Sequence, residues 1–140
     1  MKTFAAVLAA LLTTTALGAC SPSGSSAGGD ADQGKFAGFT QEETKWRQEI
    51  LASNPLCQSQ AEGEKCQGFE VTCKAERDLT AADQANGVSA RVVAAMTWNG
   101  FDPKFKHAQS GMAVAEFAKG KAGWTRAEHK SVNPESCADL

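Results

Sequence analysis

Histidine is scarce in this chain of 140 residues, which holds two, His107 and His129. A general base also needs a nucleophile or carboxylate within hydrogen-bond reach. His107 lies in the basic stretch "PKFKHAQ", read as a surface loop, and His129 near a strand end. No G-x-S-x-G, H-E-x-x-H or P-loop pattern occurs, so the common local signatures of hydrolases, metalloproteases and nucleotide enzymes are absent. No C-x-x-C occurs either, which removes the thioredoxin-like redox motif and the usual zinc spacing. Charge of one sign is not concentrated anywhere. With 14 basic and 16 acidic side chains and no basic block, long-range attraction for nucleic acid or anionic lipid is missing. The apolar run "FAAVLAALL" is far shorter than the ~20 residues a membrane-spanning helix needs. There is no internal repeat.

What is present begins at the N-terminus. Lys2 supplies a basic start, Phe4 to Leu12 an apolar core, and small residues follow. That order describes a secretory signal. Leu17-Gly18-Ala19-Cys20 closes it and resembles the lipobox of bacterial lipoproteins: a leucine, two small residues and a cysteine. The resemblance implies that the Cys20 thiol receives a diacylglycerol. Residues 1–19 would then be removed as signal peptide, and the new amino group of Cys20 acylated, for example with palmitate. At ~0.8 kcal/mol per buried CH₂, three acyl chains hold a soluble domain firmly to a membrane. Ser21 stands where an aspartate would imply inner-membrane retention. The expected place is therefore periplasm-facing, on the outer membrane rather than the inner.

From Ser21 to Gly38 the chain reads "SPSGSSAGGDADQGKFAG", with almost no large apolar side chain. Such a segment buries too little surface to offset its ordering entropy. Residues 20–38 are expected to be a lipidated cysteine and flexible tether, with a reach of roughly 25 Å. Residues 39–140 remain for one small domain. Without residues 1–19 the balance is 13 basic against 16 acidic side chains, since only Lys2 is lost.

Four cysteines other than Cys20 remain, an even number that reads as two disulfides in an exported domain. Three pairings are possible. Cys57–Cys66 with Cys73–Cys137 is preferred, because the first closes a polar loop and the second fastens the tail "NPESCADL". Loop-closure entropy makes them worth about 3 and about 4 kcal/mol. The spacings C-x₈-C and C-x₆-C do not suit zinc.

Periodicity predicts a helix over 41–52, capped by a Thr40–Glu43 box, with Trp46 and Ile50 on its apolar stripe. Pro55 ends it. Residues 54–68 read as loop. Phe69, Val71 and Cys73 alternate as one face of a short strand. Thr80 caps a short helix that Asn86-Gly87 stops. The clearest signal is period two from Ala90 through Val92, Ala94, Met96 and Trp98, broken by Asn99-Gly100 and Asp102-Pro103. Residues 110–119 fit helix or strand. The hairpin-like Gly120-Lys121-Ala122-Gly123 and a return strand over Trp124–His129 favour strand. The class is therefore α+β: an N-terminal helix and a short helix on a three- to four-stranded antiparallel sheet. The hairpin ending in Gly123-Trp124 is similar to small cystatin-like or NTF2-like lipoprotein domains.

Glu62 and Glu64 sit in a solvated loop, a poor frame for paired-carboxylate chemistry. Trp46, Trp98 and Trp124 suit core packing, with Trp98 beside Phe101 as a partly exposed interface anchor. Arg91 and Arg126 are expected to project from strands to solvent, within reach of acids across the sheet. The functional expectation is a non-enzymatic accessory or binding domain, without cofactor. It would touch another cell-envelope component through its polar sheet face and the Trp98–Phe101 corner. The alternative is a small-ligand module with a pocket lined by Met96, Trp98 and Phe117. An enzyme would need a cleft joining His107 or His129 to a carboxylate.

Overall fold

A computed structural model describes residues 34–140, so the expectations for residues 1–33, the lipobox among them, lie outside the described residues. The fold is α+β. Helix α1 (Phe39–Ser53) precedes strand β1 (Gln67–Arg77), and a short helix α2 (Ala81–Ala85) leads to strand β2 (Ala90–Asp102). Strands β3 (His107–Gly120) and β4 (Gly123–Glu128) complete an antiparallel sheet in the order β1-β2-β3-β4. Among the described residues no helix is long and apolar enough to cross a membrane.

Helix α1 lies on one face of the sheet. Phe39, Trp46 and Ile50 recur at helical spacing and are buried, facing Val92, Ala94, Met96 and Trp98 of β2 and Ala115 and Phe117 of β3. The Phe117 ring meets Phe39 edge-on at 5.1 Å and Trp46 at 5.6 Å, a geometry that aromatic quadrupoles favour. The predicted Thr40–Glu43 box does not form. Phe39 packs against Phe117 and Trp124, so the helix starts two residues earlier than predicted. Its N-cap is Gly38, at φ 83°, a left-handed conformation glycine adopts without penalty. Glu43 reaches Lys74 of β1 instead. At the other end the Asn54 side chain accepts from the Leu56 N–H (3.0 Å) and Pro55 follows, as predicted.

Residues 34–38, assigned above to the tether, belong to the domain. A 3₁₀ turn at Gly34–Phe36 places Phe36 against the core. The Trp124 indole donates to the Ala37 carbonyl (3.0 Å), and Lys119 donates to that of Gly34 (3.2 Å). These contacts come from 85 and 87 residues along the chain, beyond the reach of local pattern reading.

A bulge corrects the prediction that Phe69, Val71 and Cys73 share a face. Val71 pairs with Met96 but Cys73 pairs with Ala95, so two steps on β1 match one on β2. The extra residue turns Cys73 to the far face. There it joins Val93, Ala95, Val132 and Cys137 in a second, smaller core. The bonds are Cys57–Cys66 and Cys73–Cys137, the preferred pairing. The second pins the C-terminal tail over the sheet, where Arg77 also donates to the Cys137 carbonyl and to Asp139, both at 2.7 Å.

Asn99-Gly100 does not end β2, which continues to Asp102. Glycine is needed at 100 for close approach: a Cβ there would lie 2.7 Å from both the Cβ and the carbonyl oxygen of Leu56. Asp102 does end the strand. Its carboxylate accepts from the N–H groups of Lys104 (2.8 Å) and Phe105 (3.0 Å) and shapes the turn. Helix α2 follows its prediction, with Thr80 and Asp83 capping each other.

Candidate functional site

The four residues singled out for an interface or ligand separate in the fold. Met96, Trp98 and Phe117 are 3%, 2% and 0% exposed. The pocket expected among them is filled by α1, and Trp98 is not an exposed anchor. Trp98 is covered because Gly111 opposite it has no side chain, which lets the indole lie across β3. Phe69 stacks on the indole at 5.8 Å and Arg47 lies over Phe69 at 4.9 Å. Phe101 is half-buried and pairs with Ala108 near the outer end of the sheet. The polar sheet face is also less open than expected, since the C-terminal tail covers part of it.

An open cleft lies elsewhere. Residues from the second half of α1, from β3 and from β4 line a cavity of about 480 Å³, within the range of ligand sites. Trp46, Ile50 and Trp98 give it an apolar floor, Glu49, Arg126, Glu128 and His129 a polar rim, and Met112 borders it at the open edge of the sheet. Arg126 pairs with Glu49 of α1 rather than across the sheet. Glu128 has no ion-pair partner among the described residues. The Trp98 indole N–H is buried without a hydrogen-bond partner, a state that costs ~1–3 kcal/mol.

Beside the cleft the sheet has an unfinished edge. β3 runs from His107 to Gly120, but β4 pairs only with Ala115–Gly120. One further bond, from the His129 N–H to the Val114 carbonyl (3.0 Å), ends the pairing. In an antiparallel strand, outward-facing backbone groups recur every second residue. The N–H and C=O of Met112, Ser110 and Ala108 therefore point the same way as the Val114 carbonyl. No strand among the described residues receives them. The prediction of a strand only over 110–119 concealed this edge. The signal that could have exposed it is the mismatch between a long β3 and the short return strand "WTRAE".

The histidines stand apart from any hydrogen-bonded catalytic pair. His107 is exposed at the start of β3, and its ring lies 6.2 Å from Phe105. His129 does line the cleft, and its Nε2 is 3.9 Å from Glu116 Oε2, beyond hydrogen-bond reach. The other Glu116 oxygen accepts twice from Arg91, at 2.6 and 3.1 Å. That bond chiefly raises the Arg91 pKa above its ordinary value. Arg91 also reaches Asp83 (3.1 Å), whose pKa is lowered mainly by the Thr80 hydroxyl and then by the Thr80 N–H. This is a cross-sheet polar network on the face away from α1. Glu62 and Glu64 remain in the Cys57–Cys66 loop, where Glu64 accepts from Ser59 (2.6 Å). Among the described residues no cluster of His, Cys, Asp and Glu could hold a metal ion.

No family model matches this chain, and no curated protein or solved structure matches it either.

Proposed function

We propose that this chain is an exported lipoprotein, anchored through lipid on Cys20, whose domain acts by binding another cell-envelope component and not by catalysis. The anchor rests on Leu17-Gly18-Ala19-Cys20 and the signal-like run before it. The binding role rests on one observation, the unpaired edge of β3 at His107–Ala113 beside the 480 Å³ cleft. Exposed strand edges accept extended segments by backbone pairing, and neighbouring pockets supply selectivity. Ser21 after the cysteine favours the outer membrane, with the domain facing the periplasm.

The test is capture of the full-length protein from its own membranes after in-cell crosslinking. A Cys20→Ala form, exported through a signal that needs no lipidation, runs beside it. The wild-type chain should incorporate a palmitate analogue and the variant should not. A defined adduct retained by both forms places recognition in the domain. No adduct in either form would sink the protein-binding reading.

A second reading, a small-ligand module, draws support from the cleft volume and the unpartnered Trp98 N–H at its floor. A ligand offering an acceptor oxygen there would raise the melting temperature of purified protein and leave crosslinking blank.

A further inference from the structure

We propose that the open stretch of β3 is a self-association surface, on which two copies of this chain pair β3 against β3 into one continuous sheet. This rests on the reading that the domain works through protein contact, and it names the partner.

The contrast between the edges of the sheet comes first. Folded proteins protect exposed strand edges with bulges, charges, prolines or short length. β1 carries two register shifts and the charges Glu70, Lys74, Glu76 and Arg77. β4 is short and holds Arg126 and Glu128. The stretch Ala108-Gln109-Ser110-Gly111-Met112-Ala113 has no charge, no proline and an unbroken register with β2. An unprotected edge of this kind is an aggregation risk unless something occupies it.

The second observation is that the edge is complementary to itself. Ala108, Ser110 and Met112 point their backbone groups outward. A two-fold axis at Ser110 sets Ser110 opposite Ser110 of the partner copy, and Ala108 opposite its Met112. All three outward residues of each copy are then hydrogen-bonded. A slip of two residues loses a pair, and in one direction it meets Val114, whose carbonyl is already taken by His129.

Charge and shape agree with that register. Five residues before Ser110 comes Phe105, 65% exposed at the β2–β3 turn, between Lys104 and Lys106. Neither lysine has an ion-pair partner among the described residues. The pairing carries this tip level with Val114–Glu116 of the partner copy, beside its cleft. There the unpaired carboxylate of Glu128, which pairs with Ala115 in the sheet, complements the two cations. One chain thus carries both halves of the contact, as an isologous interface requires.

The experiment places a photo-crosslinking amino acid at position 109 of the full-length chain in its own membranes, with a control at position 76 on the β1 edge. The expected product from position 109 is a covalent dimer whose linked peptides both come from this chain. Ser110→Pro deletes an N–H the monomer does not use, so the fold should persist. It should lower the dimer adduct about a hundredfold, because the two-fold axis makes each copy lose one hydrogen bond and leave one acceptor unpaired, at about tenfold each. Ser110→Lys, which leaves the backbone intact, sets like charges opposite each other and should lower the adduct about fivefold. Co-expression of Ser110→Lys with Ser110→Asp should restore it, because only a two-fold at 110 makes those side chains partners. A Ser110→Lys chain that crosslinks as well as wild type overturns the pairing. An adduct at 109 to a different protein overturns the second copy but keeps the protein-binding reading. No adduct from any position overturns both.

Discussion

Gly111→Ala adds one methyl group to the middle of a strand, where propensity alone favours alanine over glycine by ~0.5–1 kcal/mol. The packing opposes it. A Cβ at 111 would lie 2.3 Å from Trp98 Cε2 and 2.5 Å from Cζ2 and Nε1. The indole has little room to retreat, being 2% exposed and stacked on Phe69. Overpacking of this kind costs about 1–3 kcal/mol, and displacing a whole indole belongs near the upper end. At about 4–8 °C per kcal/mol for a domain near this size, the melting temperature should fall by roughly 10–20 °C. Circular dichroism gives the transition, and tryptophan fluorescence shows whether Trp98 has moved. The decisive control is Trp98→Leu, which clears the space. In that background Gly111→Ala should be neutral to about 1 kcal/mol stabilising, and the difference is the coupling between the two sites. A penalty that persists without Trp98, or no penalty in the native background, would refute the assignment of Gly111 as the seat of the indole.

Three other outcomes are expected. Replacing Cys73 and Cys137 together by alanine should cost about 4 kcal/mol in urea unfolding, against about 3 kcal/mol for the Cys57/Cys66 pair; equal losses would show that loop length is not the deciding quantity. Asp83 has a lowered pKa in the folded state, so its contribution to stability is full above the ordinary carboxylate value and is lost as pH falls through the folded one. Asp83→Asn should therefore flatten the decline in urea midpoint below about pH 4, and an unchanged decline would place the acid sensitivity elsewhere. Gly100→Val would drive its side chain into the Leu56 backbone. The Cys57–Cys66 loop should lift and be cut faster by protease, with the cleavage mapped between residues 58 and 65.

Several elements were legible because their cause is local. β2 showed its class through strict alternation over Ala90–Trp98, since one face meets α1 and the other a second core. α2 was legible in Thr80 and Asp83, and the β3–β4 hairpin in its paired glycines. What escaped depends on contacts distant in sequence. The β1 bulge is set by pairing with β2, so nothing in "FEVTC" announces that Cys73 leaves the face of Val71. Trp98 read as a core residue left partly exposed beside Asn99-Gly100, but its full burial is decided by a glycine on the neighbouring strand. The helix start moved to Phe39 because Phe117 and Trp124 hold that ring. The open edge of β3 was hidden for a similar reason. A strand pattern shows which side chains point inward, but not which backbone groups find a partner.

The Cys73–Cys137 bond has a mechanical consequence. It joins β1 to a point three residues from Leu140, so β2, β3 and β4 lie inside one covalent loop. When tension is applied between residue 34 and residue 140, that loop cannot lengthen, and neither can the loop closed by Cys57–Cys66. Only segments 34–57, 66–73 and 137–140 can extend, roughly 110 Å of chain at ~3.4 Å per residue. Under oxidising conditions a stretched domain would give up α1 and the first part of β1 while most of its sheet stayed enclosed. Adding a reductant would release the remaining length, so a force–extension trace would read out the state of the two bonds directly.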